Sequence, residues 1–142
     1  MPLIQYSKKD LLRDKIVTPA WYRLLIDNVG EWTPSADKQS QNMVMEGTIL
    51  YNADNGDKEF EGVPIGGMGT WSFNSKGIGF SLGLTKAVAP QLGLDPDKIT
   101  PESQFEYKLL EGKVVDVFVG NDTYGGRLKN KVNHQYRAPK GV

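Results

Sequence analysis

Cysteine is absent from the 142-residue chain, which removes disulfides, thiolate metal sites and thiol nucleophiles together. Histidine is almost absent: His134 stands alone, so no histidine cluster binds zinc and a serine–histidine triad has no strong support. No run approaches the length that crosses a bilayer, and residues 1–10 hold no apolar stretch of the signal-peptide kind. The reading is therefore a soluble chain, placed in a reducing cytoplasm. Net charge is missing too, because 17 basic residues balance 17 acidic ones. Composition alone thus argues against nonspecific binding to a polyanion.

What is present points to one globular domain spanning residues 1–142. Apolar residues make up 39% and charged residues 24%, which excludes wholesale disorder. The charge is unevenly placed. Residues 127–142 carry Arg127, Lys129, Lys131, Arg137 and Lys140 with no acid among them. Residues 95–116 lean acidic through Asp95, Asp97, Glu102, Glu106, Glu111 and Asp116. A neutral total hides one positive face, and that face is what a polyanion meets.

The pattern of elements is mainly β with a helical insertion. Ser7 and Asp10 open a short helical segment over residues 7–18, with Leu11, Leu12 and Ile16 as packing residues and Pro19 as its stop. Residues 21–28 (WYRLLIDN) read as a strand, and residues 30–42 as a polar loop. A second strand over residues 43–51 meets the Asn- and Gly-rich turn 52–57, from which residues 60–65 pair back. Residues 70–74 form a short aromatic run. Leu84, Ala87, Val88 and Leu92 then share a helical face, which Pro90 interrupts. Thr100, Pro101 and Glu102 open a further helix, with Phe105 and Leu109 stacked and Gly112 as its end. Val115, Val117 and Val119 alternate in a strand before the connection 120–126. Residues 127–137 form a last strand, and a basic tail occupies residues 137–142. This order suits an OB-like, partly open five-stranded barrel, with a small β-sandwich as the alternative.

The last strand carries the chemistry. Strict alternation places Arg127, Lys129, Lys131, Asn133, Gln135 and Arg137 on one face. Their spacing of about 6–7 Å roughly matches phosphates along an extended nucleic-acid strand. The bland reading is an edge strand whose charges prevent sheet-to-sheet aggregation. Aromatic residues favour the first: Trp32 lies in a polar loop, Tyr51 at a strand end, Trp71 and Phe73 beside a glycine-rich break, and Tyr124 at a hairpin tip. Flat rings in such places stack on bases. Against that, Trp71 and Phe73 share a face and suit core packing equally well. Of Trp21 and Tyr22, which point to opposite faces, at least one belongs in the core. Lys38, in the long loop, either closes over a bound strand or is a solvated charge.

Several motifs fail on inspection. Residues 66–69 (GGMG) lack the Gly-Lys-Ser/Thr ending of a phosphate loop, and Gly77, Gly79 and Gly83 miss the dinucleotide fingerprint by one residue. Asp54 and Asp57 sit in a turn whose chemistry explains them without a metal. No cofactor and no catalytic constellation is expected.

Four local patterns resemble a family of small phage-encoded proteins of recombination and replication, thought to be OB-like single-stranded DNA-binding proteins. They are Pro19-Ala-Trp-Tyr leading into a strand, a polar loop running to Glu46-Gly47-Thr48, a mid-chain helix with Lys86, and Leu110-Glu-Gly112-Lys113 ahead of the hairpin with Tyr124-Gly125-Gly126. The resemblance covers residues 19–136 in pattern rather than close identity. It implies oligomeric coating of single strands in an infected cell's cytoplasm, with other copies and replication or recombination proteins as partners. The chain ends Arg137-Ala-Pro-Lys-Gly-Val, without the acidic tail through which many such proteins recruit partners. The expected mechanism is electrostatic tracking plus stacking, with three to four counterions released and a log–log salt slope near −2 to −3. A rival of another class is a β-rich virion component or adaptor that self-associates through its sheet edge and ignores oligonucleotides.

Overall fold

Tyr22, Leu24 and Ile26 alternate with Trp21, Arg23, Leu25 and Asp27, and the chain buries the first set along one face of a strand. In the computed structural model, which describes residues 3–31, 33–34, 41–66, 71–72, 75–100 and 106–141, β1 spans Ala20–Val29. Tyr22, Leu24, Ile26 and Val29 face inward from it. The short strands β2 (Thr33–Pro34) and β3 (Gln41–Met43) lie within the expected loop, and β4 (Met45–Asn52) follows. β5 is only Pro64–Ile65, and β6 is Trp71–Ser72. The terminal pair is β7 (Val114–Tyr124) and β8 (Arg127–Arg137).

These strands build a five-stranded sheet in the order β5-β4-β1-β7-β8 and a three-stranded sheet in the order β2-β3-β6. Every pairing is antiparallel. The fold is thus mainly β, as the sequence indicates. Val115, Val117 and Val119 of β7 lie opposite Leu24, Tyr22 and Ala20 and are buried. Helix α2 (Ser75–Val88) closes that inner face with Leu84, Ala87 and Val88. It starts earlier than its apolar periodicity shows, and Pro90 converts its end into a 3-10 turn, Ala89–Leu92. The Gln91 side chain then bonds both polar groups of the Val114 backbone, joining that turn to the start of β7.

Three expectations need correction. The N-terminal helix α1 is Lys8–Leu12 rather than residues 7–18. Its Ser7–Asp10 capping box is present, but residues 13–19 are extended or turning, and only Leu12 and Val17 of this region join the core cluster. Residues 60–62 turn instead of pairing as a strand, with Gly62 at a positive φ of 88°; Gly62 and Val63 still bond the Ile49 backbone of β4, but the ladder proper holds only Pro64 and Ile65. At its described end the helix expected after Thr100 gives way to a 3-10 turn, Tyr107–Leu110, in which Leu110 is buried and Leu109 exposed; the opening at Pro101 and Glu102, and Phe105, lie outside the described residues.

That turn pins the end of β1. Glu111 Oε1 accepts from the Val29 N–H at 2.9 Å and from Lys108 Nζ at 3.0 Å. The Val29 bond first, and the lysine second, hold the Glu111 carboxyl below its ordinary range. A carboxylate with a lowered folded pKa stabilises above its unfolded value, about 4.3, and loses that contribution as pH falls through the folded value. Glu111→Gln should therefore melt below the native chain at pH 7, with the gap narrowing in melts near pH 3. A gap independent of pH would remove the charge from this role.

Candidate nucleic-acid interface

The two faces of the large sheet differ. Inward residues of β7 are Val115, Val117 and Val119, so Asp116, Phe118, Gly120, Asp122 and Tyr124 share the outer face. Cross-strand partners join them there: Asp116 lies opposite Arg137, Gly120 opposite Lys131, Asp122 opposite Lys129, and Tyr124 opposite Arg127. The four cations expected to share a face do so, but not by simple alternation. Between Val132 and Tyr136 the register shifts, which separates Arg137 from the other three. One-strand alternation cannot show a bulge.

The cations also differ in freedom. Lys131 Nζ bonds Asp122 Oδ2 at 3.0 Å. That bond holds the Asp122 carboxyl below, and the Lys131 amine above, their ordinary values. Arg137 Nη2 bonds Asp54 Oδ1 at 2.9 Å, and its guanidinium lies 4.2 Å over the Trp21 ring. Arg127 and Lys129 form no ion pair among the described residues. The hairpin tip fixes their neighbourhood. Gly125 and Gly126 take φ of 58° and 79°, the pair of positive values a tight two-residue hairpin turn requires, and this leaves Tyr124 half exposed beside Arg127.

β8 is one edge of the sheet and β5 the other, yet both line a single open cavity of about 650 Å³. Arg127, Lys129, Lys131 and Tyr124 stand on its β8 side, and Pro64, Ile65 and Gly66 on its β5 side. Arg13, Asp14 and Ile16 of the N-terminal segment also line it, one cation and one acid among them. The N-terminal segment bridges this seam. Asn130 Oδ1 accepts from the Val17 N–H at 2.9 Å, and its Nδ2 donates to the Lys15 carbonyl at 2.9 Å.

A second cluster lies on the same outer face, and the sequence reading did not assemble it. Trp21 and Phe118 meet edge to face at 5.9 Å, opposite one another across β1 and β7. Arg23 donates from Nε to Asp116 Oδ1 at 3.0 Å and from Nη1 to the Tyr51 hydroxyl at 2.7 Å. Asp116 is only 3% exposed. The signal was available: Trp21 and Arg23 are out of phase with Tyr22, Leu24 and Ile26, and Phe118 is out of phase with the three valines. Tyr22 is the core member of the Trp21–Tyr22 pair, and burial raises its phenol above the ordinary value.

Of the other ring and loop candidates, Trp32, Lys38 and Phe73 lie outside the described residues. Trp71 is placed on β6, opposite Met43 of β3 and in a different sheet from the basic strand. Among the described residues, no three His, Asp or Glu side chains converge as a metal site, and no helix is long and apolar enough to cross a membrane. No protein-family model matches the chain, and no curated protein is similar to it.

Proposed function

We propose that this chain binds single-stranded DNA with little sequence preference, presenting or protecting it during phage replication or recombination. The observation that carries the reading is the open cavity along β8, where Arg127 and Lys129, which form no ion pair among the described residues, stand beside the half-exposed ring of Tyr124. Cations without an ion-pair partner neutralise phosphates without first breaking an internal bond, and the exposed face of a ring accepts any base. A sheet whose two edge strands line one cavity is compatible with a partly open barrel of the OB type, and we adopt that description with the function. Self-association through β8, the rival reading, is disfavoured by charge. Two antiparallel copies of this edge would juxtapose lysines and arginines of the same strand.

The test is a titration of the native chain with a labelled thymidine oligonucleotide at several salt concentrations. Arg127, Lys129 and one further cation imply a log–log slope of about −1.4 to −2, shallower than four free cations would produce. No binding at low salt, together with a stable oligomer, would return the chain to the structural-module reading.

A further inference from the structure

Arg137 is held in an arrangement that costs little to leave. Its firm bond goes to Asp54, whose side chain is 59% exposed, so water and salt weaken that pair. Its distance to Asp116 is 3.9 Å, longer than a hydrogen bond. Asp116 meanwhile has its own close partner in Arg23, at 3.0 Å. When Arg137 swings away, no buried charge loses its only partner. What the swing uncovers is the ring of Trp21, on the same outer sheet face as Arg127 and Lys129.

We propose that Trp21 is a nucleobase-stacking subsite, closed in the free protein by Arg137 and opened when Arg137 exchanges Asp54 for a phosphate of the bound strand. This rests on the single-strand-binding reading and adds to it a second contact point. A base has the flat π-face that can replace the guanidinium on the ring, and its phosphate takes the charge that Asp54 gives up. Along β7, the steps from Asp116 to Tyr124 span about 26 Å. A strand touching both the cavity and Trp21 must therefore be more than about four nucleotides long, within the range one such domain covers.

The experiment compares fluorescence anisotropy of labelled thymidine 12-mers and 3-mers with the native chain and four variants. Asp54→Asn releases Arg137, and Asp57→Asn makes the same charge change in the same turn without touching it. Trp21→Leu removes the ring from a half-buried, outward position, and the fourth variant combines Trp21→Leu with Asp54→Asn. Asp54 uses its side chain on Arg137 alone among the described residues, so Asp54→Asn leaves the turn's own hydrogen bonds in place. Asp54→Asn is expected to bind the 12-mer roughly 3- to 10-fold tighter, about the scale of one stacked base, with no gain for the 3-mer. Asp57→Asn should stay within about 2-fold. The gain should vanish in the Trp21→Leu background.

A gain equal in both asparagine variants, or one that survives without Trp21, overturns the subsite while single-strand binding stands. Failure of the native chain to bind either oligonucleotide overturns both proposals. Should Trp21→Leu melt early, the comparison of Asp54→Asn with Asp57→Asn and of long with short oligonucleotide still decides.

Discussion

Replacing Arg127 and Lys129 together by alanine is expected to weaken binding of a 12-mer by roughly 10- to 30-fold at low salt, taking about 1 kcal/mol per exposed charge contact. The same change should flatten the log–log salt slope by about 1.4, since each phosphate neutralised on a single strand contributes about 0.7. Melting should move little, because neither side chain is engaged in an ion pair among the described residues. The matching control is Lys131→Ala. Lys131 already bonds Asp122, so its removal frees an acid on the same face and changes the field by repulsion rather than by a lost contact. An unchanged slope in the double variant, with folding intact, would reject β8 as the phosphate track.

The largest loss of stability is expected from Asp116→Ala. Asp116 is 3% exposed and bonds Arg23, whose own side chain is 11% exposed. Taking away the acid leaves a guanidinium in a poorly solvated place with Tyr51, through its hydroxyl and ring, as its remaining partner among the described residues. Breaking such a pair from one side costs about 3–5 kcal/mol, which lowers the melting temperature by roughly 10 °C in a domain of this size. Replacing both members, as Arg23→Met with Asp116→Leu, should recover most of the loss, because no charge is then left without a partner. Thermal melts of the two singles and the double form the cycle that tests this. Additive losses would mean that the pair has no mutual dependence. Asp116→Ala also loosens Arg137, so it cannot stand in for Asp54→Asn as a probe of the Trp21 ring.

Legibility in the sequence followed local chemistry. The three alternating valines of β7 identify its inner face unaided, because period-2 burial is a property of one strand. The Ser7–Asp10 cap and the Gly125–Gly126 turn are equally local, each requiring only a few neighbouring residues. The basic character of β8 was also readable, and its four cations do lie on one face. What alternation missed is that two of the four are occupied. Lys131 is engaged by Asp122, and Arg137 by Asp54, a residue 83 positions away in the chain. The sequence pattern places candidate exposed rings at loop tips and strand ends. The half-buried pair Trp21 and Phe118 meets instead across the middle of the sheet, where β1 and β7 are brought side by side.

By itself, then, the amino-acid order determined a mainly β chain, the inward face of β7, the helical insertion and the positive terminal strand. Each of these follows from hydrophobic period or from charge along a few consecutive residues. Only the tertiary structure decided which cations are free, which rings share a surface with them, and that the two edge strands border one cavity. Those properties depend on pairings between residues 9 to 115 positions apart, and no single-strand pattern records which partner a charged or aromatic side chain will meet.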